Sequence, residues 1–189
     1  TKTRDSLFPH RTFPLIDREH ERDVLWRLLR EVEDTNEMRL CLVEGATGVG
    51  KSHLVRWLCE RVHEMGAASI CRVEHHSSTR EHFGLVGMVS RRLQLDGLSE
   101  GDVQERLYHY LHRRGAYLEY EELAPLAHTV STSIFPSEPE LRDAVFALLF
   151  KLLHAMSVER VVILWLEDVQ WGAESLDFLR YLQVHTQEE

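Results

Sequence analysis

The stretch that most constrains this chain is Gly45-Ala46-Thr47-Gly48-Val49-Gly50-Lys51-Ser52. It satisfies the pattern G-x-x-x-x-G-K-[ST], which asks for two glycines at a fixed spacing followed by a lysine and a hydroxyl residue. Leu40-Cys41-Leu42-Val43 just before it is a short apolar run of strand type, and Leu54, Val55, Leu58 and Val62 after it recur at helical spacing. The reading is therefore a strand over 39–44, a glycine-rich turn, and a helix to about residue 64 that closes near Gly66. Such a turn curls the backbone so that successive N–H groups point inward, and the positive end of the following helix adds a favourable field for anions. Lys51 supplies a mobile cation for β- and γ-phosphates, and Ser52 supplies a hydroxyl for Mg²⁺. A nucleoside triphosphate is the implied ligand, with Gly45, Ala46, Thr47, Gly48, Val49, Gly50, Lys51, Ser52 and His53 as its candidate binding residues.

Composition narrows the class further. The chain has 189 residues, 43% of them hydrophobic, which is enough to bury a substantial core. Its net charge of −9 argues against a general nucleic-acid or anionic-membrane surface, since both are held by dense fields of Lys and Arg. Arg91-Arg92 and Arg113-Arg114 are the tight basic pairs, and both are expected on solvated helix faces. The three cysteines, Cys41, Cys59 and Cys71, form no C-x-x-C, and two fall in runs read as buried strands. They read as reduced core residues of a cytosolic protein. No apolar stretch approaches the roughly 20 residues needed to cross a bilayer. The chain starts at Thr1, and it is read as a piece of a longer polypeptide.

Along the chain, residues 1–15 read as an extended leader. Asp17 is the expected N-cap of a helix over about 18–34, whose apolar face carries Val24, Leu25, Leu28, Leu29 and Val32. Ala68 to Val73 reads as a buried strand, and Phe83, Val86, Val89 and Leu93 as a further helix. Residues 96–136 read as short helices punctuated by Asp96-Gly97, Pro125 and Ser131-Thr132-Ser133, with no clustered arginines of the kind that clamp a phosphorylated substrate. Ser137-Glu138-Pro139-Glu140 reads as a capping box opening a helix that carries Leu141, Val145, Leu148, Leu149, Leu152 and Leu153. Then follows Val161-Val162-Ile163-Leu164-Trp165-Leu166, an unbroken apolar run suited to a central parallel strand, ending in Glu167-Asp168.

An apolar strand that ends in adjacent acids, downstream of a phosphate loop, resembles a Walker B element. One acid is needed to hold Mg²⁺ opposite Ser52, and a second to orient or deprotonate the attacking water. The carboxyl ends of parallel strands face one crevice, so the two motifs can converge despite their separation. The fold class expected is α/β, a three-layer αβα P-loop NTPase with a parallel sheet. Its core spans 16–189, with a helical insertion at about 96–158 ahead of the last strand. His75-His76 follows the second strand and can approach the phosphates. His109 and His112 share a helix face without a third metal ligand at a sensible spacing, and Trp171 is expected to pack against the turn after the acids.

The segment Val169-Gln170-Trp171-Gly172-Ala173-Glu174-Ser175-Leu176 resembles the signature of the STAND branch of AAA+-related ATPases, found in large LuxR-type activators, multidomain Ser/Thr kinases and nucleotide cyclases. Phe13-Pro14-Leu15-Ile16-Asp17-Arg18-Glu19 resembles that group's entry to its first helix. The resemblance implies ATP and Mg²⁺ as ligands, with Ser52 and Glu167 on the metal side, Asp168 as the water-activating acid, Lys51 as the catalytic cation, and Ile16 and Arg18 beside the base. It implies that a sensor strand and a helical subdomain lie beyond Glu189, so that the strands at 39–44 and 161–166 do not pair directly. The departures are Glu167 where aspartate is usual, Asp17 in place of a glycine, and Ala173 where an acid often stands.

The resulting expectation is a cytoplasmic regulatory ATPase module that binds ATP·Mg²⁺ and hydrolyses it slowly. Its partners would be the rest of the ATPase and the output or sensor domains of the same polypeptide, with nucleotide-dependent self-association. The alternatives are a P-loop small-molecule kinase or metabolic NTPase whose 96–136 region forms a lid, and a nucleotide-binding module without hydrolysis. An origin-recognition-like DNA ATPase conflicts with the acidic balance.

Overall fold

The computed structural model describes residues 17–76 and 84–186. Its sheet, among those residues, is a parallel pair of strands, β1 (Ala68–Glu74) and β2 (Val161–Glu167), in register from Ala68 opposite Val161 to Glu74 opposite Glu167. Parallel neighbours require a long crossover. Here it contains α3 (Gly84–Leu93), α4 (Glu100–His112), a 3₁₀ turn at Tyr120–Leu123, α5 (Ala124–Thr132) and α6 (Pro139–Ser157). Before β1 come α1 (Glu19–Thr35) and α2 (Lys51–Glu64), and after β2 come a 3₁₀ turn at Val169–Trp171 and α7 (Ala173–His185).

Side chains alternate across a strand, which sorts the two faces of this sheet. Ala68, Ile70, Val161 and Ile163 pack with Leu25, Leu29, Leu54, Leu58 and Val62 of α1 and α2. Cys71, Val73, Val162, Leu164 and Leu166 pack on the other side with residues of α3 to α7. The result is helices on both faces of a parallel sheet, a mixed α/β arrangement of the P-loop NTPase kind. The larger core centres on Phe178 of α7, fully buried, whose ring lies 5.3 Å from Phe146 of α6 and 6.4 Å from Tyr181. Trp26 and Trp57 meet edge to face at 6.3 Å and lock α1 to α2.

The helix ends follow local chemistry. Asn36 closes α1 in the left-handed region, its N–H donating to the Val32 carbonyl at 2.9 Å. Ser99 caps α4 by accepting from the Asp102 amide. Two expected caps differ. Asp17 is not the cap of α1; it stands one residue earlier at φ 56°, a glycine-like conformation that Asp tolerates better than most residues. The α6 helix begins at Pro139 with Glu138 as N-cap and no side-chain cap bond, so Ser137 lies outside it. Proline in the first turn needs no donor there, which suffices to start the helix.

The expected strand over 39–44 is absent: residues 36–46 form no regular structure, and Leu40, Cys41 and Leu42 are exposed. It does not pair with β2, whose partner is β1. A strand is held by its ladder, and without a neighbour the apolar run has nothing to donate to or accept from. Cys41 is accordingly an exposed thiol; partial desolvation raises it, and deeper burial pushes Cys59 and Cys71 up to about 11. Phe83, the leader and the Phe13-Pro14-Leu15-Ile16 stretch lie outside the described residues.

The fold also gathers arginines where the sequence shows none clustered. Arg92 and Arg106, from α3 and α4, line a cavity of about 720 Å³ together with Arg113 and Arg114. Arg106 donates to the Leu93 and Gln94 carbonyls, and Arg114 stacks over Tyr110 at 3.9 Å and pairs with Glu159. The pairs are far apart in sequence and are brought to one cavity where Arg106 of α4 binds the carbonyls at the end of α3.

Candidate functional site

The loop ahead of α2 has the backbone an anion cradle needs. Gly45, Gly48 and Gly50 have φ of 153°, 84° and 92°, and Gly50 is the N-cap of α2. At Gly48 and Gly50 any side chain would be strained by conformation alone. The Lys51 ammonium donates to the Gly45 and Ala46 carbonyls at 2.9 and 3.0 Å, folding the lysine back over the loop. Carbonyls are neutral acceptors, so phosphate oxygens would compete well for the same ammonium. Arg18 donates to the Val49 carbonyl at 3.0 Å and to Glu21 at 2.6 Å, which ties the start of α1 to the loop. Thr47 belongs to the exposed loop, and His53 sits half-buried in the first turn of α2. Ile16 lies outside the described residues.

The carboxyl end of β2 meets this loop. Ser52, the second residue of α2, stands close enough to the Glu167 side chain to help hold its carboxyl ionised. Burial alone pushes the Glu167 carboxyl up; hydrogen bonds from Arg72 and Ser52, with the positive charges of Arg72 and Arg56, outweigh it and hold the group below its ordinary 4.5. A depressed carboxylate value contributes stability above the unfolded value and loses it as pH falls through the folded one. Asp168 follows at φ 53°, ψ 40°, exposed, at the start of the 3₁₀ turn. An aspartate in the left-handed region at a strand end is a conformation that clusters at functional sites.

A hydroxyl and a carboxylate meeting at a helix N-terminus are hard oxygen donors, the set that suits Mg²⁺ shared with phosphates. The residues present therefore fit ATP·Mg²⁺. Among the described residues no group of three His, Cys, Asp or Glu is placed to hold a metal ion. A magnesium ion needs no such cage, because phosphates and waters complete its shell.

The residues around the acids depart from expectation. His75 does not reach toward the loop; it is buried, with Nδ1 2.7 Å from the Glu167 carbonyl and Nε2 2.8 Å from the Ser175 hydroxyl. Its backbone N–H also donates to the Glu167 carbonyl at 3.2 Å. His75 thus stitches the end of β1 to the turn and to α7. Trp171 is not packed there but 58% exposed, because the His75 ring fills the inside of the turn against Gly172. A β-carbon at Gly172 would collide with that ring. Gly172→Ala is expected to lower stability by about 1–3 kcal/mol, the usual range for overpacking. Urea unfolding would read the loss, and His75→Ala combined with it should recover part.

Arg72 was not readable as a site residue. It lies on β1, donates through Nε to Glu167 Oε2 at 3.0 Å and through Nη2 to the same oxygen, and pairs with Glu74 at 2.9 Å. The available signal was a pair of charges, Arg72 and Glu74, at the end of an otherwise apolar strand.

The AAA ATPase domain family matches residues 14–188. The chain belongs to the AAA ATPase domain family. No curated protein and no solved structure matches the chain. No helix among the described residues is long and apolar enough to cross a membrane.

Proposed function

We propose that this AAA domain binds ATP with Mg²⁺ through its phosphate loop and hydrolyses it slowly, as the regulatory module of a multidomain signalling or transcription-regulating protein of the STAND branch. The observation that carries the reading is the meeting of Ser52 with Glu167, which brings a loop from the first third of the chain to a strand end near its close. In this reading Gly45 to Gly50 surround the phosphates, Lys51 balances their charge, and Arg18 holds the loop from the base side. Ser52 and Glu167 hold Mg²⁺, which would neutralise phosphate charge as the γ-phosphoryl group is transferred. Asp168, exposed beside Glu167, orients the attacking water. ATP is assigned over GTP by the family resemblance, the AAA ATPase domain match over residues 14–188. Occupancy biases the arrangement of neighbouring domains of the same polypeptide, and of second copies.

The other reading, a small-molecule kinase or metabolic NTPase, would need the arginine-lined cavity to serve as a substrate clamp. Two of its four arginines are spent on carbonyls, Tyr110 and Glu159, and Asp102 and Glu105 line the same space, so it is poorly built for phosphate.

Phosphate release by the full-length protein separates the readings. Asp168→Asn should keep ATP binding and lower release about 100-fold or more, within the range of a lost general base. Release unaffected by Asp168→Asn would remove Asp168 from the water-orienting role, and ATP binding by the wild type with no phosphate release would leave binding alone as the function. Fast turnover that depends on an added small molecule would favour the kinase reading.

A further inference from the structure

Glutamate at position 167 poses a problem of reach. It has one more rotatable bond than aspartate, so an unrestrained Glu167 would sample several positions and lose that freedom whenever it ligated a metal. The structure restrains it. Alternation along parallel strands in this register puts Arg72, Glu74, Trp165 and Glu167 on the same face of the sheet, the face that packs against α2. Arg72 is itself held three ways: by Glu167, by Glu74 at 2.9 Å, and by stacking of its guanidinium carbon 4.6 Å from the centre of the Trp165 ring. A planar guanidinium on an aromatic face, forked onto carboxylates, is a rigid mount.

Two details of this mount bear on the metal. Both Arg72 donors fall on Oε2 of Glu167, which leaves Oε1 uncommitted to the arginine. Glu74, which also faces Arg91 at 3.9 Å, supplies a second negative charge beside Arg72, so Glu167 is not the sole counter-charge of the arginine. A cation placed against a metal ligand would otherwise repel a divalent ion.

We propose that Arg72 is a positioning residue for Mg²⁺: it pins one oxygen of Glu167 from the neighbouring strand and so lets a glutamate do at this position what a shorter aspartate does unaided. The inference rests on the ATP·Mg²⁺ reading of the site. It makes Arg72 and Glu167 a matched pair, in which the length of one side chain is compensated by the clamp of the other.

The test is the Mg²⁺ concentration needed for half-maximal tightening of a fluorescent ATP analogue, titrated on the full-length protein, with binding in EDTA as the control. Arg72→Met should raise that concentration about fivefold or more while binding in EDTA is kept, and Arg72→Lys, which still offers a donor, should fall between. Glu167→Asp should act with opposite sign in the two backgrounds. In the wild type it raises the Mg²⁺ requirement, because the shorter arm cannot serve both Arg72 and the metal; in Arg72→Met it lowers it, because aspartate needs no clamp. An unchanged or lowered requirement in Arg72→Met would overturn the proposal, the lowered value marking Arg72 as a competitor of the metal. If Arg72→Met does not fold, Glu167→Asp alone decides: a Mg²⁺ requirement equal to wild type overturns the matched pair. Failure of the wild type to bind the analogue, with or without Mg²⁺, would instead remove the ATP reading beneath it.

Discussion

Lys51→Ala is expected to weaken ATP binding by about 100-fold or more, with stability nearly unchanged. A charge-assisted hydrogen bond contributes about 1.5–3 kcal/mol, and each 1.4 kcal/mol is tenfold in affinity, so losing one or two phosphate contacts accounts for that factor. Among the described residues the ammonium donates to the Gly45 and Ala46 carbonyls, both on an exposed loop. Water can replace it there, and an exposed substitution of this kind stays within about 0.5 kcal/mol in unfolding free energy. Calorimetric titration with ATP, paired with a urea unfolding curve, measures both. Affinity close to wild type would mean that the loop does not address the phosphates through this lysine.

Phe178→Ala should cost about 3–5 kcal/mol in unfolding free energy, the range for truncating a buried aromatic. Phe178 is fully buried and its ring meets those of Phe146 and Tyr181, so it joins α7 to α6. Removing it leaves a void in the larger core, between the helix that follows the acid turn and the helix that precedes β2. The Ser175 hydroxyl bonded to His75 sits one turn earlier on α7, so loosening the helix also loosens the support of the Glu167 carbonyl. The expected readouts are a lower urea midpoint and weaker Mg²⁺-dependent ATP binding. A loss below about 1 kcal/mol would show that the neighbours collapse into the space, the circumstance that most reduces such costs.

Much of this arrangement was legible in the chain because it is local. A helix from Lys51 to Glu64, the closing Gly66 at φ 66°, and apolar runs that became Ala68–Glu74 and Val161–Glu167 all follow from periodicity and glycine chemistry acting over a few residues. The misread elements depend on partners. Residues 39–44 carry a strand-like composition, yet composition alone cannot supply ladder hydrogen bonds, and Cys41 is exposed as a result. Trp171 reads as a packing residue by size, but His75 takes the space inside the turn. The arginines at the end of α3 and just beyond α4 look solvated one pair at a time and share a cavity only in the folded chain.

The sequence by itself determined the residue types of the chemistry: a glycine-rich loop at Gly45 to Ser52 followed by a helix, and an apolar strand ending in the acid pair Glu167-Asp168. Those are properties of residue type and short spacing, written in the backbone freedom of glycine and in the charge of Lys and Glu. Tertiary structure alone decided which groups govern the acids. Parallel register put Arg72 beside Glu167 and His75 beneath its carbonyl, and a register is set by how two distant strands bury their faces against α2 on one side and α3 to α7 on the other.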